Sequence, residues 1–323
     1  MKVGIISFAH SHAFSYAEAL TQLDGIDLLG IADENETRGK KVANQFDTVH
    51  FSDYEDLLNQ PIEAVIVTSE NCNHYEHVTA AARKGKHILC EKPLAHTLKD
   101  AQAIIDVCKE NNVQLQTAFP VRYNTPVLKG KKIIDSGQLG NIVAIKGTNR
   151  GTNPGGWFVD PQKSGGGAVI DHTVHIVDII RWYTGAEVKE VYAEVGNLIS
   201  DYNIDDCGLL TMEFDNNMFA TLDCSWSKNK SYPTWGDVTL EVVGTRGTLT
   251  VDAFGQKTNV YNNDGVHWDF WGDNMDRDLV EDFISSVRNG RDPSITGEDG
   301  IKALSVAIAA YNSSKKQEPI KVK

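Results

Sequence analysis

Two sets of ionisable residues in this chain have the types and spacing to move protons. The first is Glu91-Lys92-Pro93, which follows the apolar run His87-Ile88-Leu89-Cys90 and precedes a helical pattern opening near Thr97. A lysine at the carboxyl end of a buried strand sits where open α/β sheets place ligands. The proline after it restricts the Lys92 backbone toward extended geometry. Such a lysine can be aimed at a reacting oxygen; the plain alternative is a surface turn with a salt pair. The second set is Asp171 and His175, four apart and therefore neighbours on one helical face. They follow Gly165-Gly166-Gly167, which would let the backbone pass close to a ligand just before the helix starts. A helix amino terminus disfavours an imidazolium, so His175 is expected to rest neutral and to accept a proton, oriented by Asp171. Taken alone, the pair also reads as a capping carboxylate beside a packed core histidine.

The elements that must position these residues fall into two groups. Over the first 120 residues or so, apolar runs at Val3–Phe8, Leu28–Ala32, Ala64–Thr68, His87–Cys90 and Gln114–Ala118 alternate with helical patterns. The helices are expected at Ala13–Leu23, Glu36–Gln45, His74–Lys84 and Leu98–Glu110. This alternation predicts a doubly wound parallel sheet covered on both faces. After a helix at Thr125–Asp135 the patterns become mainly strands: Val143–Thr148, Glu187–Val195, Gly208–Phe214, Phe219–Ser225, Val238–Val243 and Thr248–Val251. Tight turns between them predict a largely antiparallel sheet. One helix, Gly167 to Tyr183, is embedded early, and two more close the chain near Asn274–Arg288 and Glu298–Ser314. The expected fold class is α/β: a doubly wound domain over residues 1–120, then an α+β domain over 121–323 with a large open-faced sheet. The C-terminal helix is free to pack back on the first domain.

The turn after the first strand reads Ser7-Phe8-Ala9-His10-Ser11-His12-Ala13. A dinucleotide-binding turn carries GxGxxG there, and this chain does not match it. Ser7 and Ala9 take the first two glycine places, and Ala9 is small enough for the backbone to approach a pyrophosphate. The helix amino terminus still offers free N–H groups to phosphate, and His10 and His12 can add hydrogen bonds. A metal on His10 and His12 lacks a third ligand nearby in sequence, so none is expected. The second strand ends in Asp33, placed to accept from ribose hydroxyls. Glu34 and Glu36 follow it and would repel a 2′-phosphate, which favours NAD over NADP; Arg38 is the dissenting residue.

With 323 residues, 41% hydrophobic and 23% charged, the chain reads as a globular protein of two domains. A formal net charge of -13 argues against a nucleic-acid partner. Cys72, Cys90, Cys108, Cys207 and Cys224 form no CxxC pair, which fits reduced thiols. The amino terminus begins directly with a strand, and no window approaches a membrane span, so the cytoplasm is the expected location.

These pieces together resemble the glucose–fructose oxidoreductase / inositol dehydrogenase / rhizopine catabolism (Gfo/Idh/MocA) family, essentially end to end. The resemblance rests on Ala64–Thr68 with Asn73-His74, on Gly85 through Leu94, on Arg122-Tyr123, on Gly137–Gly140, and on Gly165–His175 followed by Asp178 and Arg181-Trp182. The chain departs from the family where its phosphate loop lacks the usual glycines. It departs again at His172-Thr173, where many members have an apolar residue and glycine. The resemblance implies an NAD(P)-dependent oxidoreductase that moves a hydride between nicotinamide and a secondary alcohol of a sugar, cyclitol or related polyol. Lys92, Asp171 and His175 would be catalytic. Ser7, Phe8, Ala9, His10, His12, Asp33, Arg38, Thr68, Ser69, Asn73, His74, Glu91, Lys92, Arg122 and Trp157 would face the cofactor, with Glu91 also able to steady Lys92. Lys92, Tyr123, Asn153, Trp157, Asp171, His172, His175 and Trp235 would face the substrate. An alternative keeps the cofactor but uses transient oxidation, as an NAD-dependent glycosidase or hydro-lyase; a further one is a ligand-sensing regulator without catalysis. The open sheet face implies a homodimer or homotetramer.

Overall fold

The computed structural model describes residues 1–262 and 265–322; Asn263, Asp264 and Lys323, part of the expected second domain, lie outside the described residues. The chain forms two compact units. One comprises residues 1–120, 162–164 and 276–301, and the other 121–161, 165–275 and 302–323.

The first unit alternates β1 (Lys2–Ile6), α1 (His12–Gln22), β2 (Asp27–Ala32), α2 (Glu36–Gln45), β3 (Val49–Phe51) and α3 (Tyr54–Leu58). It continues with β4 (Ala64–Val67), α4 (His74–Arg83), β5 (His87–Glu91), α5 (Leu98–Glu110) and β6 (Leu115–Ala118). All six strands run parallel, in the order β3-β2-β1-β4-β5-β6. That order reverses between β1 and β4, and ligands of such sheets bind outside the strand ends at this switch point. Continuous apolar strands are what a sheet buried on both faces needs, and all four residues of β4 are inaccessible. Local signals set the helix starts: Asn35 accepts the amide of Arg38 at α2, and Thr97 accepts that of Asp100 at α5. The short elements β3 and α3 are additions to the expected list. Three residues of strand are too few to show a periodicity.

In the second unit and the segments around it lie α6 (Thr125–Asp135), β7 (Ile142–Gly151), α7 (Pro161–Ser164) and α8 (Ala168–Thr184). Then follow β8 (Val188–Gly196), β9 (Cys207–Phe214), β10 (Phe219–Asp223), β11 (Gly236–Gly244), β12 (Gly247–Asp252), β13 (Lys257–Asn262) and β14 (Gly265–Phe270). The chain ends with α9 (Met275–Asn289), α10 (Gly297–Lys316) and β15 (Ile320–Lys321). Seven strands pair in the order β12-β11-β7-β10-β9-β8-β15. All pairs are antiparallel except β7 with β10. Along β9, Gly208, Leu210, Met212 and Phe214 are buried while Leu209, Thr211 and Glu213 are exposed. Strict alternation of this kind marks a sheet with one covered face. The covering helix is α8, which lies against β7 and β9. It is buried along most of its length and ends where Gly185 turns left-handed at φ 67°. The hairpin β13–β14 and the edge strand β15 were not anticipated. Among the described residues, no helix is long and apolar enough to cross a membrane.

Candidate active site

In the first unit, the turn after β1 keeps a glycine-like backbone without the glycine. Ser7 has φ 69°, a left-handed conformation that costs an L-residue about 1–2 kcal/mol. Its neighbours hold it there. Ser7 N–H donates to Ala32 O at 2.6 Å, and the Thr68 hydroxyl donates to Ser7 O at 2.6 Å. Ser7 Oγ accepts the Ala9 amide at 3.1 Å, and His10 N–H reaches Thr68 O at 3.0 Å. The next amide, that of Phe8, donates to Asp33 Oδ2 at 2.9 Å.

Asp33 is buried and fully engaged. Oδ2 accepts from Phe8 N and, at 2.7 Å, from Arg38 Nε; Oδ1 accepts from Asn35 N and Arg38 Nη2, both at 2.9 Å. A ribose hydroxyl reaches this carboxylate only if Arg38 moves, and the Arg38 side chain is 31% exposed. Beside it lies a cavity of about 150 Å³ lined by Ser7, Asp33, Glu34, Glu70, Asn73 and His77. Ser69 Oγ lies 3.0 Å from His77 Nδ1. Burial, then the nearby His74, lowers the His77 imidazole to about 4.

At the end of β5, Glu91 is inaccessible to solvent. Its Oε1 accepts from the Tyr16 hydroxyl at 2.7 Å and lies 2.9 Å from His12 Nδ1, while Oε2 accepts the Lys92 backbone amide at 3.1 Å. Glu91 thus steadies Lys92 through the main chain and ties β5 to α1, a partnership with Tyr16 that sequence reasoning missed. Burial pushes the Glu91 carboxyl up, but His10, His12 and Lys92 outweigh it and hold the group well below the usual carboxylate range. Burial likewise pulls His12 down, and Glu91 more than restores it, so the His12 imidazole sits above its ordinary value. The ligand atoms of His10, His12 and Glu91 lie within 4.8 Å of one another, so β5 supplies the third group that the local sequence lacked. Within this cluster His10 Nδ1 also accepts the His12 amide at 3.1 Å. Lys92 is 4% exposed and precedes Pro93 through a cis peptide bond. His74, expected at the cofactor, places Nδ1 2.9 Å from Pro93 O and Nε2 3.2 Å from Ser69 O. Its ring braces the Lys92-Pro93 turn.

In the second unit, Asp171 and His175 lie one turn apart on α8, and His175 is 8% exposed. Asp171 Oδ2 accepts from Trp226 Nε1 at 3.2 Å and lies 3.4 Å from His172 Nε2. His172 is buried, its Nδ1 3.2 Å from Cys224 O, with its ring 6.0 Å from that of Trp235. Asn153 Oδ1 accepts the Gly155 amide at 2.9 Å, and its buried Nδ2 has no acceptor among the described residues. Trp157 stacks on Phe158 at 3.9 Å. Trp226 was not anticipated; a lone tryptophan after a strand carries no motif.

Two further features of this unit concern expected site residues. Arg122, expected at the cofactor, commits Nε and Nη2 to the Asp178 carboxylate at 2.6 Å each, next to Tyr123 in the turn Pro120–Tyr123. Two of the glycines before α8 face the chain itself where their side chains would stand. A Cβ on Gly167 would collide with the Asp205 carbonyl, and one on Gly166 with the Tyr311 hydroxyl.

A six-stranded sheet with this switch point, joined in one chain to a helix-backed open sheet carrying an Asp-His pair, defines a two-part oxidoreductase of the dinucleotide-binding kind. Residues 1–119 match the family model described as oxidoreductase family, NAD-binding Rossmann fold, and residues 127–250 match the GFO/IDH/MocA C-terminal domain. The chain belongs to the Gfo/Idh/MocA family. It is 28% identical over 337 residues to myo-inositol 2-dehydrogenase of Thermotoga maritima, covering 100% of this chain and 98% of that protein. It is 29% identical over 318 residues to scyllo-inositol 2-dehydrogenase (NAD(+)) of Bacillus subtilis, covering 94% and 91%. A probable dehydrogenase from Thermotoga maritima shares the fold with a TM-score of 0.87 at 25% identity, covering 100% and 99% of the two chains.

Proposed function

We propose that the protein is an NAD-dependent dehydrogenase acting on a secondary alcohol of a sugar, cyclitol or related polyol. The observation that carries this reading is the presence, in a chain of an oxidoreductase family, of a buried Lys92 at the end of β5 together with Asp171 and His175 on one face of α8. The described residues fit the cofactor: Ser7 supplies the left-handed turn, Ala9 is small, and acidic groups line the cavity beside Asp33. Ser7, Phe8, Ala9, His10 and His12 would hold the pyrophosphate, with Thr68, Ser69 and Asn73 beside them, and Asp33 would take the ribose once Arg38 swings away. Glu34, Glu70 and Glu76 around that cavity disfavour a 2′-phosphate, which supports NAD over NADP.

When bound, the nicotinamide supplies the acceptor for the carbinol hydride. His175 takes the hydroxyl proton, and Asp171, held by Trp226, steadies the imidazolium that forms. Lys92 stabilises the developing alkoxide or shares the proton. Asn153, His172, Trp157, Tyr123 and Trp235 are the proposed substrate contacts, and the unpaired Asn153 Nδ2 supports a sugar hydroxyl as acceptor. Net redox is favoured over transient oxidation because the named relatives are dehydrogenases. Leu209, Phe219 and Val243 stand out from the uncovered face of the large sheet at 61%, 53% and 43% exposure, which supports a homodimer or homotetramer through that face. The five free cysteines fit the cytoplasm. The test is a panel of polyols and sugars followed at the NADH absorbance, with NAD and NADP in parallel. Reduction of NAD by at least one polyol is expected, and none with either cofactor would reject the reading. A monomer by light scattering would reject the assembly.

A further inference from the structure

The start of α8 is held by residues far away in sequence. Four consecutive amides there need acceptors, and the helix has no local side-chain cap. Asp205, between β8 and β9, supplies three of them. Gly167 N donates to Oδ1 at 2.8 Å, Ala168 N to the Asp205 carbonyl at 3.0 Å, and Val169 N to Oδ2 at 2.9 Å. The fourth, Ile170 N, donates to the Tyr311 hydroxyl at 3.2 Å, and that hydroxyl donates in turn to Asp205 Oδ1 at 3.0 Å. Gly166 and Gly167 are the residues whose missing side chains permit this approach. The next residue along the helix is Asp171, and His175 lies one turn beyond.

We propose that Asp205 and Tyr311 are positioning residues for Asp171 and His175: a brace from outside the helix fixes the axial place and rotation of α8, and so the aim of its two chemical groups. A helix capped only by its own neighbours frays at the first turn, and Asp171 sits in that turn. The brace removes this freedom. Its carboxylate also lies where the partial positive charge of the helix start favours an anion. The proposal rests on the reading of His175 as proton acceptor.

The experiment compares wild type with Asp205→Asn and Tyr311→Phe. Asparagine turns one acceptor into a donor facing an amide, and phenylalanine removes one hydroxyl while keeping the ring. Each variant is expected to lose about tenfold to hundredfold in kcat, the scale on which small misplacements act, with KM within a few-fold and NAD affinity unchanged. The His175 imidazole signal in a histidine-labelled NMR spectrum, assigned by its loss in His175→Gln, is expected to move in both. Lower melting temperatures with kcat and the His175 signal unmoved would overturn the proposal and leave a purely structural cap. Should Asp205→Asn fail to fold, Tyr311→Phe decides alone. Wild type that oxidises no polyol would reject the dehydrogenase reading, and the NMR comparison would still decide whether the brace positions His175.

Discussion

The turn after β1 and the turn before α8 both bend the backbone tightly, yet their amides are satisfied in different ways. At the first, the Ala9 amide is held by Ser7 Oγ and the His12 amide by His10 Nδ1. These acceptors are side-chain atoms on the turn itself, and rotation about a single bond releases each amide to an anion. At the second, the amides of Gly167 through Ile170 are held by Asp205 and Tyr311, 38 and 141 residues away. A ligand could take these four amides only by displacing Asp205 and Tyr311. In the first turn the Ala9 and His12 amides can exchange partners while those of Ser7, Phe8 and His10 stay on Ala32, Asp33 and Thr68; in the second all four amides keep theirs. Glycine content points the other way, since the exchanging turn lacks glycines and the fixed one has three.

If that contrast holds, changes in the two regions should separate chemistry from cofactor binding. The largest effects belong to Lys92→Met and His175→Gln, each expected to lower kcat/KM by roughly 10²–10⁴-fold, the range of acid–base and electrostatic contributions. Of the two, only Lys92→Met should also alter the NAD dissociation constant. Turnover of Lys92→Met within a few-fold of wild type would sink the mechanism. A tenfold-scale change in NAD affinity in His175→Gln would break the contrast.

Next in size is an acid effect. With its imidazole lowered by burial to about 4 from an ordinary 6.5, His77 is neutral in the folded protein throughout the range in which the unfolded chain takes up a proton. Its contribution to stability is therefore intact above pH 6.5 and is lost as pH falls toward 4. The loss approaches about 3 kcal/mol at about 1.4 kcal/mol per pH unit. His77→Gln should flatten this part of the urea-denaturation profile between pH 6.5 and 4. An unchanged slope would mean that another group carries it. Smaller again is Arg38→Ala, which frees two sites on Asp33. NAD should bind as well or better, and NADP worse by about tenfold, the equivalent of 1.4 kcal/mol. NADP affinity that survives the substitution would show that Arg38 does not serve the phosphate.

Where the chain's own periodicity decides structure, it was legible. Helices α2, α5 and α6 begin and end where their caps and apolar spacing put them, and the alternation of strand and helix up to Pro120 predicts the parallel sheet. Local sequence does not carry pairings between distant segments. Nothing near Glu91 announces Tyr16, nothing near Asp171 announces Trp226, and the Gly165–Gly167 run does not say whether a ligand or Asp205 fills the space beside it. Arg122 shows the same limit, because an arginine at an expected cofactor position gives no sign of the carboxylate on α8 that holds it. Motif spacing found the reacting side chains, and the residues that hold them came only from the fold.

The finest test of the contrast is Ser7→Gly. Glycine removes the steric cost of φ 69°, about 1–2 kcal/mol, and gives up the bond from Ala9 N–H to Ser7 Oγ, worth about 0.5–1.5 kcal/mol. In the absence of cofactor the two nearly cancel, so the melting temperature should hardly change. With NAD present they do not cancel. The Ala9 amide no longer has to leave an internal partner, and the strain relief remains. The dissociation constant should fall by up to about fivefold, or about 1 kcal/mol. Ser7→Val should lower the melting temperature instead, because a β-branched residue resists this conformation, while leaving α8 and the His175 signal undisturbed. Weaker NAD binding in the glycine variant would mean that Ser7 Oγ itself holds the phosphate, and that the first turn exchanges fewer partners than its geometry implies.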